Sequence, residues 1–327
     1  MSKRFNNKRL IYLLGGLLVI LFLTVIIKIP KERATLKSKL IDIDTSEVSH
    51  IILYPKVGNG TVIEFRKNNG KWTVRQGTIS DVTHKGAVQN IFNEVLGIKP
   101  QSLAANDKSK WEEYELTDSL STRIKFLSGK GKVLADLLIG KFNYKQVNNP
   151  YGGYGGSNVQ ITSFVRLYDE KEIYAVDGML PFAINRSFDE WRDKTFIVSN
   201  HDDITKISFN FPADSSYNLI RKDSVWYAGN QKADSSTVAD YLNTLGFMEG
   251  QTFKDNFKPV LNPDYRMIVE GNNLLNFSVN CYYGDNSGEY ILNSSLNPDC
   301  YFASKENEIF GKLFKPKNYF VKKQATQ

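Results

Sequence analysis

The chain has 327 residues, 41% of them hydrophobic, 24% charged and 13% aromatic. That content excludes a disordered chain and leaves room for two domains. Two cysteines and three histidines exclude a disulfide-rich miniprotein and most multi-ligand zinc frameworks. The net charge of +7 invites a nucleic-acid reading, but its distribution removes it: residues 1–33 hold seven basic residues and one acid, leaving 35 basic and 34 acidic residues in the body. No basic footprint for a phosphate backbone remains, and we expect no nucleic-acid partner.

Residues 10–27 read LIYLLGGLLVILFLTVII, eighteen residues without a charge. A helix rises about 1.5 Å per residue, so this one nearly matches a bilayer core of about 30 Å. Lys3, Arg4, Lys8 and Arg9 precede it. By the positive-inside tendency the N-terminus stays cytoplasmic and the bulk is exported, giving a single-pass inner-membrane protein with a periplasmic body. The apolar run enters Lys28-Ile29-Pro30-Lys31 without a small-residue cleavage site, so we read an uncleaved signal anchor. Residues 1–33 are thus the basic tip and anchor, and 34–47 a polar stalk.

Globular patterning starts at Val48. Val48, Ile51 and Leu53, then Val62, Ile63 and Phe65, then Trp72 and Val74, alternate between turn signals at Gly58-Asn59-Gly60 and Asn68-Asn69-Gly70. This predicts a three-strand antiparallel meander with a tight turn at Asn69-Gly70. Val88, Ile91, Phe92, Val95 and Leu96 form one apolar helix face. Strands follow at 124–127, 133–139, 161–168 and 173–176. A short helix near 181–188 leads into Trp191-Arg192-Asp193-Lys194.

The pattern then recurs at an offset of 150 to 156 residues. Ile204, Ile207 and Phe209 repeat the spacing of Val48, Ile51 and Leu53. Arg221-Lys222 followed by Trp226 repeats Arg66-Lys67 followed by Trp72, one residue shorter. Val238, Tyr241, Leu242 and Leu245 repeat Val88, Ile91, Phe92 and Val95. Strands at 265–269, 275–283, 289–292 and 300–303 follow, and the apolar stretch 309–314 echoes 183–188. The expected fold class is therefore α+β: one N-terminal transmembrane helix, then two tandem, internally repeated antiparallel-sheet-plus-helix modules at 48–200 and 201–327. Trp72 and Trp226 read as core anchors of their modules.

Several motifs in the first module resemble the DUF4340 family: Lys71-Trp72, Tyr114-Glu115-Leu116, Leu138-Ile139-Gly140-Lys141, Val165-Arg166-Leu167 with Ile173-Tyr174-Ala175-Val176, and Arg192-Asp193-Lys194. The resemblance covers roughly 48–197. Glu115 stands where the family usually has glycine, which puts a tight turn there in question. Genes of the family often accompany ABC-type transport components linked to gliding motility. The resemblance therefore implies an envelope protein, accessory to a transport or motility complex, and carries over no catalytic residues.

The residues themselves offer little catalytic chemistry. No Gly-x-Ser-x-Gly elbow occurs. His201-Asp202-Asp203 reads as a turn cap rather than a metal site. Cys281 and Cys300 read as core residues; with one strand between them they would lie about 9.6 Å apart, beyond disulfide reach. We assign no catalytic, cofactor or metal residue. The most unusual stretch is Asn148-Asn149-Pro150-Tyr151-Gly152-Gly153-Tyr154-Gly155-Gly156-Ser157. Its flanks read as strands, which excludes a phosphate-binding loop. Tyr151, Gly152, Gly153 and Tyr154 are the candidate partner-contact residues, on a long hairpin connection. The expected function is binding or scaffolding in an envelope complex through protein partners, with the inner membrane held by 10–27. The rival classes are an envelope hydrolase and a small-ligand sensor, each using a cleft between the modules.

Overall fold

The computed structural model describes Tyr12 and residues 14–18, 36–57, 60–147, 158–284 and 288–321. Apart from Tyr12 and 14–18, which are helical and exposed, the expected membrane-spanning stretch 10–27 lies outside these residues. Among the described residues no helix is long and apolar enough to cross a membrane.

The first run of elements is β1 (Val48–Tyr54), β2 (Ile63–Asn68), β3 (Lys71–Gln76), β4 (Ile79–Val82), α1 (Ala87–Leu96) and β5 (Pro100–Ala105). Then come β6 (Thr122–Ser128), β7 (Val133–Val147), β8 (Asn158–Leu167), β9 (Ile173–Asp177), α2 (Leu180–Ile184), α3 (Phe188–Trp191) and β10 (Thr195–Val198). The second run is β11 (Ile204–Asn210), β12 (Tyr217–Lys222), β13 (Val225–Ala228), β14 (Gln231–Lys232), α4 (Ser235–Thr244), β15 (Phe247–Glu249) and β16 (Thr252–Phe253). It ends with β17 (Tyr265–Gly271), β18 (Phe277–Tyr283), β19 (Tyr290–Ser294), β20 (Asn297–Ser304) and α5 (Ile309–Leu313).

The protein is α+β, dominated by two large antiparallel sheets. Their strand orders are β4-β3-β2-β1-β6-β7-β8-β9-β5 and β14-β13-β12-β11-β17-β18-β19-β20-β16. In both, an opening four-strand meander continues through its first strand into a second meander, and a strand that follows the helix returns to the far edge. A separate small sheet pairs β10 with β15. The sequence reading missed β4, β5, β10, β14, β15 and β16. They are short, and β5 (Pro-Gln-Ser-Leu-Ala-Ala) has no β-branched alternation to betray it. The expected helix at 181–188 is two separate pieces, α2 and α3.

The chain divides into two compact units, Met1–Thr61 with Gln89–Asn185, and Val62–Val88 with Arg186–Gln327. In the first, Val48, Ile51 and Leu53 of β1 are buried along with Ile124 and Phe126 of β6. On α1, Ile91, Phe92 and Val95 are buried as expected and Leu96 is half-buried; Val88, also buried as expected, belongs to the second unit. Phe92 stacks on Phe126 with centroids 5.9 Å apart.

In the second unit, β2 and β3 turn through Asn69-Gly70, both at positive φ (49° and 80°), the geometry that an Asn-Gly hairpin favours. The corresponding β12–β13 turn, Asp223-Ser224, has the same geometry without a glycine (φ 45° and 68°). The large core gathers Phe209, Tyr217, Trp226, Tyr241, Leu245 and Phe320. Trp226 is buried as expected, whereas Trp72 is only half-buried. Tyr241 donates its hydroxyl hydrogen bond to the Leu313 carbonyl at 2.8 Å, which ties α4 to α5. Cys281 and Cys300 are both buried and free, with Leu292 of β19 between their strands.

Candidate functional site

The motif residues of the first unit close on one another. The Lys141 amide donates to the Tyr114 carbonyl at 3.1 Å. A side chain at Gly140 would collide with that same carbonyl oxygen, so glycine is required for the close approach. Arg166, only 2% exposed, donates to the carbonyls of Leu116, Tyr168 and Glu170 at 3.1, 2.8 and 2.9 Å. Its guanidinium lies 3.6 Å from the Trp111 ring centroid. Burial pushes it below its ordinary arginine value. The turn questioned at Glu115 is present: Glu115 adopts φ 55° and its carboxylate pairs with the Lys56 ammonium at 2.6 Å. These motifs form a clasp that holds backbone against backbone, which is a structural role.

Arg192, also 2% exposed, is the centre of a second cluster, within the other unit. Its Nε donates to Asp81 of β4, and its two terminal nitrogens grip both oxygens of Asp255. Nη1 also donates to Asp189 of α3 at 3.0 Å. The guanidinium lies 3.4 Å from the Phe253 ring centroid and 5.0 Å from that of Phe188. Burial works against its charge, but the bond to Asp255, the charge of Asp81 and the bond to Asp189 outweigh it and hold Arg192 above its ordinary value. Burial also holds the Asp81 carboxyl above its usual range, despite the arginine. The Cys300 thiol lies 3.9 Å from Asp81 and is pushed up to about 12 by burial first and that carboxylate next. One cation facing three carboxylates binds β4, α3 and the segment after β16 together. Sequence reasoning singled out Arg192-Asp193-Lys194 only as a motif, since Asp81 and Asp255 are far away in the chain. Among the described residues no group of three or more His, Cys, Asp or Glu side chains could hold a metal ion. His201–Asp203 forms a 3-10 turn, with His201 Nδ1 3.2 Å from Asp202.

The predicted contact residues Tyr151, Gly152, Gly153 and Tyr154 lie outside the described residues. The strands on either side of them are described. β7 is 15 residues long and pairs with β6 only as far as Ile139, while β8 pairs with β9 only from Thr162 onward. Beyond those points the two strands pair with each other up to Val147 and Asn158 and form an arm. Phe142, Tyr144, Ile161 and Val159 share one face of it, and Asn143, Lys145, Gln160 and Thr162 share the other. Tyr144 is 75% exposed; Val159, Met179 and Phe182 are also exposed, and Phe182 meets Phe142 edge-on at 5.0 Å. The polar face, together with Phe142 and Tyr144, lines a concavity of about 580 Å³. Residues 137–168 contain no Asp or Glu. The arm therefore offers aromatic, amide and lysine groups without a carboxylate.

Comparison with known families finds a match over residues 83–264 to DUF4340, a domain of unknown function. No curated protein and no solved structure matches the chain. The match starts later than the sequence resemblance and runs further, into the second run of strands. It contains the clasp at Tyr114, Gly140 and Arg166 as well as Arg192 and Asp255. Because it spans more than half of the chain, the protein belongs to the DUF4340 family.

Proposed function

We propose that this is a membrane-anchored binding or scaffold protein with an extracytoplasmic body, accessory to an envelope complex of the ABC-type transport or gliding-related kind. The β7–β8 arm is its partner-contacting element. One observation carries this reading: the arm outruns the strands beside it and keeps an exposed apolar face around Tyr144 and Val159. A two-stranded ribbon is marginal in water by itself, and an apolar face on it gains stability when a partner covers it. The Tyr, Asn, Gly and Ser composition of 143–158 is that of adaptable recognition surfaces, with rigid aromatic anchors among small polar groups. The anchor reading rests on the uncharged stretch 10–27. The tandem-module reading is supported by the shared strand order of the two sheets.

The test is a photo-crosslinking amino acid placed at Tyr144 in the full-length chain, with crosslinks formed in intact membranes. The expected result is reproducible capture of the same envelope protein from Tyr144 and from Val159, and no capture from Val82, which is exposed in the other unit. Equal capture from all three positions, or none from the arm, refutes the reading.

A further inference from the structure

We infer that the second unit carries a binding site for a polyhydroxylated, uncharged ligand of the oligosaccharide class, separate from the arm. The site is a cavity of about 670 Å³ bounded by the turn before β12, the β13–β14 turn and the segment after α5. This volume is within the range of small-ligand sites. Asn218, Asn230, Gln231 and Asn318 bring four primary amides to it, with Asp214 and Lys317 as its only charged side chains among the described residues.

The chemistry of that lining selects the ligand. Each amide presents an acceptor oxygen and a two-hydrogen donor. Four such groups suit a partner whose own groups both donate and accept, which is what a hydroxyl does. An anionic phosphate calls for surplus positive charge, and the one cation of the lining, Lys317, is matched by Asp214. A polycation calls for surplus negative charge, and Asp214 is offset by Lys317. An extended peptide would dock on a strand edge, but the edge strand here, β14, is only two residues long. The apolar lining of Phe211 and Pro316 offers flat contact to the C–H faces of a sugar ring.

The walls are fixed before any ligand arrives. Tyr217 donates from its hydroxyl to the Lys315 carbonyl at 2.5 Å, and the Asp234 amide donates to the Phe320 carbonyl at 2.8 Å, pinning the segment after α5. The Gly229 amide donates to the Asn218 carbonyl at 2.8 Å, which sets the β13–β14 turn beside β12. In the remaining wall, Ala213 and Asp214 both hold left-handed φ (56° and 57°) without being glycine. The Phe211 amide bonds Ser216 Oγ at 3.0 Å and Ser215 Oγ bonds the Pro212 carbonyl at 2.9 Å, locking that loop. Two consecutive strained residues held in this way are what a preorganised site carries.

The test is isothermal titration of the full-length protein in detergent with three neutral tetrasaccharides: chitotetraose, cellotetraose and maltotetraose. We expect saturable binding of at least one, with a Kd of about 1 mM or tighter. The double variant Asn218→Ala with Gln231→Ala should weaken it at least about tenfold, since it removes two sets of ligand hydrogen bonds. Its thermal unfolding should match the wild type, because both side chains are exposed. Saturable binding that the double variant leaves intact overturns the site. Absence of saturable binding for all three sugars overturns the ligand class.

Discussion

Replacing Arg192 by methionine tests whether its single cation holds three carboxylates together. Methionine keeps an apolar stem against Phe253 but removes the charge. Asp81 and Asp255 are 12% and 26% exposed in their side chains, and both lose their partner. Taking one member out of a buried ion pair costs about 3–5 kcal/mol, mostly through the charge left behind. Asp189 is half exposed and adds little. We therefore expect a loss of about 4 kcal/mol at neutral pH, a large part of the roughly 5–15 kcal/mol typical of a folded domain. The sign of the pH dependence follows. Without the arginine, the burial that already holds the Asp81 carboxyl above its usual range is no longer opposed by that cation, so its folded pKa stays above the unfolded value of about 3.9. Such a group binds its proton more readily when folded, so stability is regained as pH falls through the raised value. The gap between variant and wild type must therefore narrow on acidification. Urea denaturation followed by tryptophan fluorescence reads it directly, since Trp191 is adjacent. Adding Asp81→Asn should recover part of the loss at neutral pH. A loss below about 1 kcal/mol, or a gap that does not change with pH, would refute the charge-compensation account.

Two further outcomes follow from single positions. At Glu115, φ 55° costs an ordinary residue about 1 kcal/mol, while both Glu115→Gly and Glu115→Ala lose the pair with Lys56. Glu115→Gly should therefore be the more stable of the two in urea melts, against the usual preference for alanine; the reverse order would deny the left-handed turn. Burial pushes both cysteine thiols up, Cys300 to about 12. In the native protein neither should react with a disulfide reagent at mildly alkaline pH, and both should react in denaturant. The folded state keeps these protons where the unfolded chain has released them, so their contribution to stability is present below about pH 8.5 and is lost as pH rises beyond it. Rapid labelling of the native protein would contradict the burial.

What was legible in the sequence was whatever local chemistry determines. Val48, Ile51 and Leu53 and their counterparts Ile204, Ile207 and Phe209 show the same burial pattern, because one buried sheet face imposes the same spacing on both strands. The α1 and α4 faces and the Asn69-Gly70 turn were read correctly for the same reason. The illegible parts are those decided at long range. β5 is a strand because β9 pairs with it, not because Pro-Gln-Ser-Leu-Ala-Ala prefers extension. Asp81 and Asp255 gain meaning only when folding brings them to Arg192, and nothing in their own neighbourhoods marks them. The amide-lined cavity was missed because Asn218, Gln231 and Asn318 lie on separate elements that read as ordinary polar surface.

The two sheets share a strand order, so their differences show where selection has acted on more than folding. β7 and β8 hold 15 and 10 residues, whereas β18 and β19, which occupy the same places in the second sheet, hold 7 and 5. A sheet of this order forms without the longer pair, so the added length is not needed for the fold and requires another reason. The segment after α5 makes the converse case. Phe320 buries itself completely in the core, yet Pro316, Lys317 and Asn318 just before it are held out along the cavity wall. Core anchoring explains the phenylalanine but not the exposed polar residues it positions. Function sits on such departures from a common scaffold, because binding residues can change there at little cost to the core. Among the described residues, the arm in the first unit and the amide-lined cavity in the second are departures of this kind. Their chemistries differ, one aromatic and free of carboxylates, the other dense in amides and balanced in charge, so the two proposals are tested separately.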